Sequence, residues 1–305
     1  MNYGRIFIPQ DYGLEYCKSP QAIVFDAYVR IYFSYCIPDG DKLKSKVGYV
    51  DYEKTFKKIL NVSKDVISDG KLGTFDEHGI FPFSPFRDGG NIKALTSGWT
   101  RRQSVSADSG IGLAVSSDGG DTFERYGDGP VMSACLNEPY LVDDGFVVTT
   151  DDGSYVMYYI FGTNWADYGT GQPERTYRIG IARSKNLLDW ERTGKQVIEC
   201  KSEDEAQALP SVIYKNGIWH MAFCYRNTVG FRENVRNAYH IGYAFSKDMW
   251  NWERKDARIK IPCEEWCSEM QCYPNLFEMD GDVYLLYNGN HFGEKGFGLM
   301  KLEDF

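Results

Sequence analysis

Carboxylates recur at one offset from a repeated proline. Pro20, Pro82, Pro210 and Pro274 each open an apolar run, and five residues ahead of them stand Glu15, Glu77, Glu205 and Glu269. Pro139 is the fifth member of the series and has Glu138 directly before it. Asp76 and Asp204 precede their Glu by one residue. Carboxylates gathered from distant segments repel one another, and burial beside like charge raises their pKa. Such a cost suits general acid–base work, a bound cation or capture of sugar hydroxyls. Asp76, Glu77, Glu138, Glu205 and Glu269 are therefore the candidate catalytic residues. A carboxylate copied with each repeat to cap a loop or bridge two units is the competing reading, and it weighs most on Glu15.

A second set of polar and aromatic residues follows the next apolar run of each unit. It comprises Ser97-Gly98-Trp99-Thr100-Arg101-Arg102, Asn164-Trp165, Cys224-Tyr225-Arg226 and Asn288-Gly289-Asn290-His291. Aromatic faces stack on the CH faces of sugars, amides bond hydroxyls in both directions, and Arg clamps anionic groups bidentately. Together with His78, the candidate substrate-binding residues are Trp99, Arg101, Arg102, Trp165, Arg226, Asn288, Asn290 and His291. Packing competes for the two Trp residues, and structural pairing competes for Arg226 and His291.

The elements that must position these groups are legible as repeats. A motif of one aliphatic or aromatic residue, Gly and two apolar residues occurs five times, with its glycines at Gly48, Gly112, Gly180, Gly242 and Gly298. Ile179–Thr193 and Ile241–Lys255 are near-copies of one another. Half a period earlier, each proline opens a strand that leads through a turn into an aromatic strand. Asn216-Gly217 and Asp280-Gly281 are strong hairpin signals between such runs. Four antiparallel strands in each of five units predict an all-β, five-bladed β-propeller. The blades fall at about 10–70, 71–133, 134–200, 201–262 and 263–305 within one domain. The last unit lacks an outer strand. Residues 3–9, containing Arg5-Ile6-Phe7-Ile8-Pro9, are expected to supply it, because they match Arg258-Ile259-Lys260-Ile261-Pro262, taken as the outer strand of blade four. First strands line the channel of a propeller, so the acidic residues before them should crowd one mouth.

Composition narrows the function classes. Across 305 residues, 34 Lys and Arg against 43 Asp and Glu leave a net charge of −9, the wrong sign for a nucleic-acid footprint. No apolar stretch is long enough to predict membrane insertion. The first ten residues do not read as a secretory signal, and the eight Cys read as reduced thiols, so a cytoplasmic location is expected. Cys263, Cys267 and Cys272 lack the paired short spacings of a zinc site, and no metal ligands are assigned. No cofactor is required by this reading, although a divalent cation in the channel is compatible with it. Phosphate loops, metalloprotease motifs and nucleophile elbows are absent.

These motifs resemble the five-bladed propeller glycosidase superfamily of arabinanases, xylosidases, fructosidases and mannoside phosphorylases. More specifically the chain is similar to glycosylase-like proteins of bacterial capsule and O-antigen gene clusters. The resemblance rests on Phe75–Pro82, Gly98–Arg102, Asn137-Glu138-Pro139, Glu203–Pro210, Ser268–Asn275 and Tyr287–Gly293. It implies a carbohydrate-active enzyme acting on a glycosidic or glycosyl-phosphate bond in surface-polysaccharide metabolism. Glu138 would be the acid, with Asp76 or Glu77 as base or nucleophile. One departure stands out: the hydrolases keep an Asp in the first-blade loop beside the proline, where this chain has Ser19-Pro20. Two other readings stay open. One is a phosphorylase, transferase or nucleotide-sugar enzyme in which Arg101, Arg102, Arg226 and His78 bind phosphate. The other is a non-catalytic sugar-binding propeller. The expected partner is accordingly a sugar, sugar phosphate or nucleotide sugar.

Overall fold

The computed structural model describes residues 1–169, 171–303 and 305. Five four-stranded antiparallel sheets follow one another along the chain. Blade one holds β2 (Lys18–Val24), β3 (Tyr28–Asp39), β4 (Lys42–Glu53) and β5 (Ile59–Ser63), after β1 (Asn2–Phe7). Blade two holds β6 (Ile80–Asp88), β7 (Asn91–Arg101), β8 (Ala107–Ser116) and β9 (Glu124–Arg125). Blade three holds β10 (Val142–Thr149), β11 (Tyr155–Ala166), β12 (Glu174–Ser184) and β13 (Glu191–Gln196). Blade four holds β14 (Glu205–Lys215), β15 (Ile218–Asn227), β16 (His240–Ser246) and β17 (Trp252–Arg254). Blade five holds β18 (Cys272–Met279), β19 (Asp282–Asn288) and β20 (Phe297–Leu302).

Strand β1 pairs antiparallel with β20 and completes blade five, so the two ends of the chain close the ring. It ends at Phe7, and Pro9 opens a short 3-10 turn instead of extending the strand. The counterpart chosen for it in blade four is not a strand. Arg258 ends a 3-10 turn and residues 259–262 are irregular, while the outer strand of that blade is Trp252–Arg254. The likeness of the two pentapeptides thus reflects composition and not position.

The five glycines of the repeat lie on the third strand of their blades. A Cβ at Gly112 would strike Phe75, one at Gly242 would strike Phe223, and one at Gly298 would strike Trp266, so each missing side chain makes room for an aromatic ring. Asn216-Gly217 and Asp280-Gly281 both take positive φ, as two-residue hairpins of this kind require. Buried clusters of aliphatic and aromatic residues fill the spaces between blades. No helix among the described residues is long and apolar enough to cross a membrane.

Every first strand carries the same irregularity. The pairing with the second strand slips between Lys18 and Gln21, Ile80 and Phe83, Asp143 and Phe146, Ala208 and Ser211, and Cys272 and Asn275. These are β-bulges, which re-aim side chains. The second bulge residue has positive φ at Ser19, Asp144, Leu209 and Tyr273, and in blade two it is Phe81. The residue after it is proline in four blades and Gly145 in blade three. Pro139 is therefore not the start of a first strand. It lies in the loop before β10, out of register with the other four prolines.

Candidate functional site

The five bulges converge on the ring axis. Lys18, Phe81, Asp143, Asp144, Ala208, Leu209 and Tyr273 all line one funnel of about 590 Å³. Trp99, Arg175, Tyr177, Arg226, His291 and Glu294 form its wall. The ring of first-strand residues was expected at this mouth, but its members are those of the bulges and not the carboxylates ahead of the prolines.

Asp143 and Asp144 sit at the blade-three bulge. Asp143 accepts the Asp144 backbone N–H at 3.0 Å, and the Asp144 carboxylate accepts the Leu209 N–H of blade four at 3.0 Å. The Asp144 N–H also donates to the Ser97 hydroxyl, so blade two, three and four meet at this residue. Burial, opposed by hydrogen bonds from Ser97 and the backbone and by the charge of Arg175, leaves the Asp143 carboxyl pushed up to about 6. Burial first, and then the negative charge of Asp143, raise Asp144 further. Two adjacent acids in one funnel disfavour each other's ionisation.

Cations face this pair. Lys18 occupies in blade one the bulge position that Asp143 occupies in blade three. Its ammonium lies over the rings of Tyr16 at 4.8 Å and Phe81 at 5.6 Å. Arg175 donates to Ser106 at 3.2 Å and lies 5.4 Å from the Trp165 ring centroid. Arg226 is 2% exposed and sits 3.7 Å from the centroid of Phe231. It donates to the Tyr177 phenol at 3.2 Å and to the carbonyls of Asn227, Thr228 and Arg175. The Tyr177 and Tyr239 hydroxyls bond each other beside it. Among the described residues none of these three cations forms an ion pair with a carboxylate, whereas Arg232 nearby is paired with Glu174.

The predicted catalytic carboxylates are engaged elsewhere, and none of the five lines the funnel. Asp76 receives Arg125 Nε at 2.6 Å and the Thr74 hydroxyl at 2.8 Å. Glu138 receives Arg192 at 2.6 Å and the Tyr159 hydroxyl at 2.7 Å. Glu205 receives Arg254 at 2.7 Å and Gln207 at 2.9 Å. The three arginines belong to a repeated Glu-Arg dipeptide on the fourth strand. Arg125, Arg192 and Arg254 sit opposite Ala114, Ala182 and Ala244, the alanines that end the glycine motif in their blades. These are clasps that tie the entry loop of a blade, or in blade four the first residue of its first strand, to its own outer strand. Glu77 accepts the Gly73 N–H at 3.0 Å within its loop. Glu269 lies at the rim, half exposed, with His291 at 3.7 Å.

Of the predicted substrate-binding residues, Trp99, Arg226 and His291 line the funnel. Arg101 is bound to Asp39 at 2.7 Å and to the Leu43 carbonyl, and Arg102 is bound to Asp108. His78 packs against Trp99, and burial lowers its pKa. Trp165 stands beside Arg175, outside the funnel lining. Asn288 and Asn290 are latches. Asn288 accepts the Ser19 N–H and donates to the carbonyls of Cys17 and Gly296, and Asn290 accepts the N–H groups of Glu269 and Met270. Among the described residues no group of three or more His, Cys, Asp or Glu is arranged to hold a metal ion.

Asp143, Asp144, Lys18, Arg175, Tyr177, Tyr239, Tyr273 and Glu294 escaped the sequence reading. A signal was present for the two aspartates. Pro139 precedes its motif glycine, Gly180, by 41 residues, while the interval in the other blades is 24 to 32. Counted back from Gly180 by those intervals, the bulge is expected at about 148–156, which rules out Pro139 and comes within a few residues of Asp144-Gly145.

No family model matches the chain. Over 99% of its length it is 30% identical to the uncharacterized protein Rv1502 of Mycobacterium tuberculosis, 98% of which is covered. Over 64% of its length it is 32% identical to a 1,2-beta-oligomannan phosphorylase of Thermoanaerobacter sp. strain X514, 58% of which is covered. Among solved structures, one described as a glycoside hydrolase superposes with a TM-score of 0.78 at 17% identity, covering 100% of this chain and 92% of that one.

Proposed function

Since the chain belongs to the family of the mycobacterial protein Rv1502, and its funnel sets two acids beside three cations that form no ion pair among the described residues, we propose a carbohydrate-active enzyme that cleaves a glycosidic bond with phosphate as the attacking group. The observation that carries this reading is the bulge ring. It sets Asp143 in blade three and Lys18 in blade one, next to Ser19, the place beside the proline where the resemblance to the propeller hydrolases leads one to expect an Asp. A cation beside that place, with no carboxylate at it, suits an anionic nucleophile, whereas a carboxylate there would activate water. Likeness to an oligomannan phosphorylase points the same way.

In this mechanism the Asp143 carboxyl, whose raised pKa of about 6 keeps a protonated fraction near neutrality, donates its proton to the glycosidic oxygen. The phosphate oxygen attacks the anomeric carbon as the carbon–oxygen bond to the leaving sugar breaks. The products are a glycosyl phosphate and a sugar bearing a new hydroxyl. Lys18 and Arg175 hold the phosphate, and the charge of Arg226, spread over aromatic rings without a carboxylate, adds to the positive potential of the wall. Asp144 holds the bulge in place through Leu209, and burial keeps the proton affinity of Asp143 high. Trp99 and Tyr273 offer faces for sugar rings. The substrate class we propose is a glycan or glycosyl phosphate of surface-polysaccharide metabolism, as the motif resemblance implies.

The test is release of glycosyl phosphate from β-1,2-linked mannooligosaccharides and a wider oligosaccharide panel, with and without inorganic phosphate. The reading predicts turnover that requires phosphate, and a Lys18→Met variant whose KM for phosphate rises at least tenfold. Turnover independent of phosphate and unaltered by Lys18→Met would assign hydrolysis. Binding of sugars without any product would assign a non-catalytic propeller.

A further inference from the structure

A second cavity, with a volume of about 1130 Å³, lies between β13 of blade three and the turn joining β16 to β17 in blade four. It shares no lining residue with the funnel. Two tryptophans, Trp250 and Trp252, line it.

Both pack against a buried cluster, but only one of them is required by the turn that carries them. The turns Ser184–Trp190 and Ser246–Trp252 are built alike. In each, the side-chain oxygen of Asn186 or Asp248 accepts two backbone N–H groups, those of Leu188 and Asp189 in one and those of Trp250 and Asn251 in the other. Leu187 and Met249 take positive φ at matching places. Trp190 Nε1 donates to the Leu187 carbonyl at 3.0 Å, and Trp252 Nε1 donates to the Met249 carbonyl at 2.8 Å. Trp252 is therefore part of the turn. Trp250 is not, because blade three folds the same turn with Leu188 in its place. The extra indole is half-buried and has the Arg183 guanidinium 3.9 Å from its ring centroid, which fixes its plane.

The groups around it match a polyhydroxylated ligand. Lys195 and Asn251 offer donors, while Glu199 and Glu203 offer acceptors, and none of the three charged groups is in an ion pair among the described residues. An aromatic plane ringed by both donors and acceptors suits a sugar, whose hydroxyls both give and accept hydrogen bonds around an apolar CH face. The cavity has nearly twice the volume of the funnel, so it has room for several units of a chain.

We propose that this inter-blade groove is a second carbohydrate-binding site, which holds a glycan chain by stacking on Trp250 away from the reacting centre. It does not depend on which reaction the funnel performs.

The variant Trp250→Leu installs the blade-three residue in an equivalent turn, so the fold is kept. The experiment is affinity electrophoresis of the full chain through gels containing soluble mannan, arabinan or dextran, with tryptophan fluorescence titration using the polysaccharide that retards it. At least one polysaccharide should retard the wild-type chain and the Asp143→Asn variant equally, and Trp250→Leu should bind it at least tenfold more weakly. Three results would overturn the proposal: no retardation by any of the three, retardation unaltered in Trp250→Leu, or retardation lost in Asp143→Asn. A loss of phosphorolysis in Asp143→Asn with retardation intact separates this site from the funnel.

Discussion

At the scale of single residues, the same side-chain type has opposite fates according to its partner. Glu138 and Glu205 are about as buried as Asp144, yet each meets an arginine on its own blade. Asp143 and Asp144 meet hydroxyls, backbone N–H groups and each other, and burial raises them. That direction has a consequence for stability. The folded chain holds the Asp143 proton up to about pH 6, while an unfolded aspartate loses it near 4. The folded state thus binds the extra proton between those values, and the contribution to stability falls as pH rises through this window. Asp143→Asn removes the penalty. Chemical denaturation should find the variant more stable than wild type by on the order of 1–2 kcal/mol at pH 8, with the difference vanishing below about pH 4. Equal differences at both pH values would contradict the raised carboxyl. Glutamates ahead of a proline were visible in the sequence, but the arginines that neutralise them stand some fifty residues away, on a strand whose register only the fold supplies.

Among elements, the blade is the unit of repetition, and its clasp is as regular as its glycine. Arg125 and Arg192 reach from the outermost strand to the entry loop of the innermost, and Arg254 reaches to the first residue of that strand, Glu205. Removing one partner of a buried pair strands the other charge, at a cost of about 3–5 kcal/mol. Arg192 is partly exposed, so Arg192→Met should cost somewhat less, about 2–4 kcal/mol in urea unfolding. The double variant Arg192→Met/Glu138→Gln should recover much of that loss. A single variant as stable as wild type would show that the clasp does not brace the blade. The glycine motif, the hairpins and the aromatic strands were readable because each is a local pattern with a local cause. The blade-three bulge was hidden because Gly145 replaces the proline that marks it elsewhere, and Pro139 offered a false marker six residues upstream. A bulge is defined by its partner strand, and that pairing is not a property of neighbouring residues.

For the whole molecule, ring closure is what turns five weak repeats into one site. Strand β1 lies against β20 at the seam, and Asn288 of blade five binds the backbone of Ser19 in blade one. Buried Asn275 links Gln21 and Ser211 across three blades near the axis. Five bulges at one radius then aim their side chains at a common volume, although among the bulges only that of blade three carries acids and that of blade one carries a lysine. Five-fold architecture was predictable from spacing, since the missing outer strand had one candidate at the other end of the chain. Which carboxylates reach the axis was not, because that choice depends on a shift of a few residues in a single blade. The most direct test is therefore a parallel assay of Asp143→Asn and Glu138→Gln for phosphate-dependent turnover, each first shown to be folded by circular dichroism. A loss of at least a hundredfold in kcat/KM for Asp143→Asn, with Glu138→Gln within a few-fold of wild type, is the predicted result. Turnover abolished in folded Glu138→Gln and retained in Asp143→Asn would contradict it.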